Sequence, residues 1–182
     1  MKFILPKSLC PEVKIDMPLF FLAGPVRGGG DWQNRAVELI SKRKDDCYIV
    51  NPWRYPEEHW THSLATEGGD NHFHSQTMWE RHYLEIASRL GCILFWLGCE
   101  DIRNPRSKED GPYARETYGE IGRWSVRLAN DHNLRVVFGA DPNFPGLKQI
   151  KANIVADTDG SYSRFPTTLK ATVRMALDKC KT

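Results

Sequence analysis

The sequence predicts an α/β fold of three layers, with helices covering both faces of a five-stranded parallel sheet. Two observations carry this. Short, nearly continuous apolar runs occur at residues 17–23, 47–50, 92–97, 135–138 and 153–156. Such runs are what strands buried on both faces look like. Between them lie longer stretches whose apolar residues return every three or four positions, the mark of amphipathic helices. Strands alternating with helices imply parallel neighbours joined by right-handed crossovers.

Residues 1–16 read as an irregular arm, with Phe3, Ile4 and Leu5 packing on the surface. The first strand, 17–23, stops at Gly24-Pro25-Val26-Arg27-Gly28-Gly29-Gly30-Asp31. A helix follows from Trp32 to about Arg43, with Ala36, Leu39 and Ile40 inside and Asp31 as N-cap. A strand, a glycine-rich loop and a helix can bring backbone N–H groups to a ligand, although this loop matches neither GxGxxG nor a Walker motif. The second strand, 47–50, ends at Asn51-Pro52. A long loop then runs from Trp53 to Ser75 and carries His59, His62, His72 and His74 without a third ligand at metal spacing. Loops of this length in compact domains are functional or disordered. The helix 76–90 has Met78, Tyr83, Ile86, Ala87 and Leu90 on its inner face and runs into the strand 92–97. A charged loop, 98–111, precedes the helix 112–131. The chain ends with the strand 135–138, the run 153–156 and a helix 166–179. This pattern gives a flavodoxin-like or Rossmann-like sandwich with strand order 2-1-3-4-5.

At 182 residues the chain makes one domain with a sizeable core. A net charge of +2 gives no electrostatic case for a nucleic-acid polymer or a membrane as partner. The five cysteines include no CxxC pair and read as reduced thiols, and no apolar run suits a signal peptide or a membrane span. The expectation is a cytoplasmic protein. No metal site or cofactor motif is found.

In open parallel sheets ligands bind beyond the carboxyl ends of the strands. That brings together the loops 24–32, 51–75 and 98–112. The last of these delivers Glu116-Thr117-Tyr118-Gly119-Glu120-Ile121-Gly122-Arg123-Trp124. At ~100° per residue, with Glu120 at zero, Trp124 falls at ~40°, Thr117 at ~60°, Leu128 at ~80° and Ile121 at ~100°. Glu120 therefore stands at the rim of the apolar stripe, where a carboxylate is half desolvated. Glu116, at ~−40°, turns further toward solvent. Gly119 and Gly122 cost the helix about 1 kcal/mol each relative to alanine. They make sense if something approaches the backbone beside Glu120; the alternative is a surface helix with spare acids and glycines.

Together these segments resemble the nucleoside 2-deoxyribosyltransferase superfamily over roughly residues 19–140. Phe21-Leu22-Ala23-Gly24-Pro25 resembles its first-strand signature. Trp79-Glu80, Leu84 and the strand end Phe95-Trp96-Leu97 resemble its middle block, and residues 116–124 resemble the segment that carries its catalytic glutamate. The closest branch is the nucleoside 2-deoxyribosyltransferase-like group. Val26-Arg27-Gly28-Gly29 is also similar to the related 2'-deoxynucleoside 5'-phosphate N-hydrolases. The resemblance implies Glu120 as nucleophile, and a proton-transfer partner that falls on Glu80 or Tyr83, because the family's aspartate is absent. It implies contacts to base and sugar from Gly24, Pro25 and Trp32, to the 5' end from Arg115 and Thr117, and to the substrate from Glu116. Trp79, His82 and Trp96 are possible walls. Arg27, the glycines 28–30 and Arg115 would hold a phosphate if the substrate carries one. The implied partner is a small-molecule nucleoside or nucleotide, and the implied assembly is a homodimer. Transfer to a second base, hydrolysis of a 5'-monophosphate and non-catalytic nucleotide binding remain as alternatives.

Overall fold

The computed structural model describes residues 1–10, 12–53, 58–66, 73–103 and 105–181. Among them five parallel strands, β1 (Lys2–Ile4), β2 (Leu19–Ala23), β3 (Tyr48–Val50), β4 (Cys92–Leu97) and β5 (Val136–Ala140), form one sheet in the order β1-β3-β2-β4-β5. Their period of two divides each strand between two cores. Leu19, Phe21 and Ala23 of β2 face one side, with the helices α2 (Gln76–Leu90), α3 (Arg115–Asn130) and α4 (Leu147–Asp157). Phe20 and Leu22 face the other, against α1 (Trp32–Ser41) and α5 (Leu169–Lys179). Each large side chain removed from water in this way contributes about 1.5–3 kcal/mol. The three-layer α/β class is the predicted one. Among the described residues no helix is long and apolar enough to cross a membrane.

The predicted strand order holds for four strands and fails at the edges. Residues 153–156 lie within α4, where Leu147, Ile150 and Ile154 are buried at helical spacing while Asn153 and Ala156 are exposed. The apolar run there is one stripe of a helix, not a two-sided strand. The fifth strand instead comes from the arm and lies at the opposite edge. Phe3 and Ile4 are buried, Lys2 N–H donates to the Cys47 carbonyl at 2.9 Å, and Phe3 pairs with Ile49. Three residues are too few to show a period, so the sequence carried no strand signal here.

Helix ends also differ. Asp31 makes no side-chain cap; it accepts a bond from Asn34 Nδ2 instead. α3 begins at Arg115 rather than Pro112, after Ala114 in the left-handed region at φ 56°. α5 begins after Thr168, whose hydroxyl accepts from Ala171 N–H, three residues past Pro166. The inner face of α2 is Trp79, Tyr83, Leu84, Ala87 and Ser88, and Met78 is exposed. In the long loop, Trp60–Leu64 forms a 3₁₀ turn; residues 54–57 and 67–72, including His72, lie outside the described residues.

Two glycines give opposite expectations. A Cβ on Gly139 would lie 1.9 Å from Thr172 Oγ1, so Gly139→Ala must push α5 off the sheet and should cost roughly 1–3 kcal/mol. A Cβ on Gly122 meets nothing within 4 Å, so Gly122→Ala should stabilise α3 by about 1 kcal/mol. Thermal unfolding of the two variants should move Tm in opposite directions.

Candidate active site

The strand order reverses between β2 and β4, and crossovers leave this point on opposite faces. At its carboxyl side lies a cavity of about 640 Å³. Its walls come from the loop after β2 (Gly24 to Arg27), from Pro52 and Trp53 after β3, from Arg106 and Asp110 after β4, and from the first turns of α2 and α3. The three loops that the sequence reading grouped do meet here. Of the candidate residues, Gly24, Pro25, Arg27, Glu80, Arg115, Glu116, Thr117 and Glu120 line this cavity.

Gly24 makes the floor possible. Its φ is 150°, and a Cβ there would lie 2.3 Å from the Trp96 carbonyl oxygen. Trp32, expected beside base and sugar, is buried in the opposite core. Its indole N–H donates to the Pro25 carbonyl at 2.8 Å, so it shapes the loop from behind. The glycines 28–30 do not line the cavity. Gly28 and Gly30 pack against Glu100, Asp101 and Arg106, and Asp101 N–H donates to the Gly28 carbonyl.

Glu120 is half-buried, and burial first, then the charges of Glu80 and Glu116, push its carboxyl up to about 8; Arg123 opposes the shift. Glu80 and Glu120 thus sense one another from α2 and α3. Gln76, one turn before Glu80, donates from Nε2 to Glu80 Oε1 at 2.9 Å and to the Pro52 carbonyl at 3.2 Å. A second cavity, of about 330 Å³, adjoins the first between α2 and α3 and shares Thr77, Glu80, Glu116 and Glu120 with it. Gly119 lines it, and a Cβ on Gly119 meets nothing within 4 Å, so the space beside Glu120 is open. The carboxylates stand between the two cavities. Two carboxyl groups on one cavity wall, one ionised and one protonated, can serve as nucleophile and acid in a displacement at carbon.

Three guanidinium groups also line the cavity. Arg27 pairs with Asp110, Arg106 Nε lies 3.4 Å from Glu100 Oε1, and Arg115 opens α3. No side chain caps this end of α3. Sequence reading missed Arg106, Asp110 and Gln76. The first two sit in an aperiodic loop, and Gln76 looks like any first-turn polar residue. The Gln-x-x-x-Glu spacing from Gln76 to Glu80, one helical turn, was the available signal.

Tyr83 and Trp79, candidates for catalysis and binding, lie elsewhere. Both are fully buried under the arm. Trp79 Nε1 donates to the Ser8 carbonyl at 3.0 Å; the Tyr83 hydroxyl accepts from Cys10 N–H at 2.8 Å and donates to the Ser8 carbonyl. Burial pushes the Tyr83 phenol up to about 12, which removes it from proton transfer near neutral pH. The side chain of Trp96 is in the core shared with α1, and His82 lies on the outer side of α2 against Phe73. The helical face that suited these residues to a site suits them equally to holding the arm.

Tyr83→Phe leaves Cys10 N–H buried without its acceptor and should cost about 1–3 kcal/mol of stability. It should leave ligand binding in the main cavity unchanged, which denaturant unfolding and ligand titration can check together. No protein-family model matches the chain, and no curated protein matches it.

Proposed function

We propose that the chain is an enzyme that displaces the base of a nucleoside at the anomeric carbon, holds the sugar as an ester on Glu120 and passes it to a second base. The carrying observation is the half-buried Glu120, its carboxyl raised to about 8, on the wall of a substrate-sized cavity together with Glu80. The resemblance of residues 116–124 to the segment of the catalytic glutamate in the nucleoside 2-deoxyribosyltransferases supports the same reading. In the forward step a Glu120 oxygen bonds to the anomeric carbon as the carbon–nitrogen bond breaks. The electron pair goes to the base nitrogen, which takes a proton from Glu80. An incoming base reverses these bonds. The reading carries with it a homodimer, as in the family resembled.

Because burial raises Glu120, little of it is ionised near neutral pH. The departing base also needs a proton, which the Glu80–Glu120 pair loses once Glu120 ionises, so the rate should fall as pH rises through about 8. A rate that climbs through about 8 would instead mean that no proton from this pair reaches the base. Glu120→Ala should abolish nearly all turnover of a deoxynucleoside panel with an acceptor base, and Glu116→Ala should do far less. Retention by Glu120→Ala of more than about a tenth of the rate, a barrier change under ~1.4 kcal/mol, defeats the ester mechanism. A 2-fluoro nucleoside should leave its sugar on the peptide containing Glu120.

One observation favours a second reading, hydrolysis of a nucleoside 5'-monophosphate. Arg27, Arg106 and Arg115 line the cavity from the loops after β2 and β4 and from the uncapped start of α3. Such a site attracts a phosphate. Under this reading the 5'-monophosphates outcompete the nucleosides in kcat/KM, and Arg106→Ala removes that preference. Equal kcat/KM for both substrate classes leaves transfer between nucleosides as the function.

A further inference from the structure

Gln76 is half-buried at the start of α2 and lines the main cavity. Its Nε2 carries two hydrogens, and each has an acceptor: the Pro52 carbonyl at 3.2 Å and Glu80 Oε1 at 2.9 Å. The orientation of the amide follows from those partners, because a carbonyl oxygen in place of Nε2 could donate to neither. An amide N–H aimed at a carboxyl oxygen favours the ionised carboxylate. Pro52, in the loop after β3, holds the amide in place, so the donor is fixed before any ligand arrives.

We propose that Gln76 is a positioning residue: its amide, held by Pro52, keeps the Glu80 carboxylate as a hydrogen-bond acceptor, so that of the two carboxyl groups on the cavity wall Glu120 is the one that keeps a proton. The groups around the pair agree with this. Glu116 adds negative charge on the Glu120 helix and favours the proton there, and Arg123 opposes it only in part. Arg27, Arg106, Asp110 and Arg115 lie round the first cavity, and Arg81, Glu85 and Arg127 line the second. Glu85 and Arg127 are paired with each other, as are Arg27 and Asp110, and Gln76 donates to Glu80 from within the same helix. In the reaction proposed above, on which this consequence rests, Glu80 receives the proton of Glu120 before the attack. It then hands the proton to the departing base, and no other co-reactant is needed.

The test is a titration of the glutamate side-chain carboxyl carbons by ¹³C NMR in the full chain, assigned with Glu80→Gln and Glu120→Gln. In Gln76→Leu, Glu80 should titrate higher and Glu120 lower than in the unaltered protein, each by about half a pH unit or more. Gln76→Asn keeps the amide but is a methylene shorter; it should move both in the same directions by less, and it serves if Gln76→Leu does not fold. If both carboxyls move down together, the variant has merely let water into the cavity and the proposal fails. If neither moves, Gln76 only tethers the Pro52 loop and the proposal likewise fails. These titrations need no substrate, so they decide the role of Gln76 even if no nucleoside is turned over. If nucleosides are turned over, the limb of the pH–rate profile near 8 should shift in Gln76→Leu to lower pH with the Glu120 titration.

Discussion

At the carboxyl end of β2 the backbone runs so close to β4 that no side chain fits between them. The space a Cβ of Gly24 would need is filled by the Trp96 carbonyl and, behind it, the Trp32 ring. That approach fixes where the chain leaves the sheet. The Pro25 carbonyl is then held by the Trp32 indole, Val26 and Arg27 turn toward the loop that follows β4, and Arg27 meets Asp110. The same region of β4 lies in register with β5, so one crossing sets the floor of the cavity and the spacing of its walls. Helix starts deliver the chemistry to that frame. Elements built on rigid strands hold side chains more closely than loops do.

The cavity is lined by charges of both signs. Glu80 and Glu120 reach it from α2 and α3, where burial acts on Glu120, and Arg27, Arg106 and Arg115 reach it from the loops and the start of α3. Such a lining can orient a ligand that carries an electron-poor group and an anionic or hydroxyl group. On the side of the loop after β4, Arg27 pairs with Asp110 and Arg106 with Glu100. Further along α2 and α3, Arg127 pairs with Glu85 and Arg89 with Asp131. The second cavity runs between the helices as far as the Glu85–Arg127 pair.

Much of the fold was legible because burial on both faces writes itself as uninterrupted apolar runs, as in Leu19–Ala23 and Cys92–Leu97. The edges were not. Phe3 and Ile4 are buried by partners more than forty residues away, and nothing local distinguishes them from a tail. Ile154 and Val155 looked like a strand because two adjacent β-branched residues satisfy either period. In the site, Glu120 was legible from its angle to Trp124 and Leu128. Tyr83 and Trp79 were misplaced for the same reason: a helix wheel shows that a face is buried but not what buries it, and here it is the arm. Gln76 showed only its one-turn spacing to Glu80, and the Pro52 carbonyl that fixes it comes from another loop; Arg106 gave no periodic signal, being held by Glu100 within its own irregular loop.

The arm also bears on the order in which the molecule can be assembled. Its partners are made later than it is: Ile49 for Phe3, then Trp79 and Tyr83 for Ser8 and Cys10. During synthesis β1 therefore waits without its neighbour, and β2, β3 and α1 can associate before it docks. Closing so long a loop costs conformational entropy that only the finished β3 edge and α2 can offset. The arm is made before the rest of this domain and is among the last of its parts to find its place.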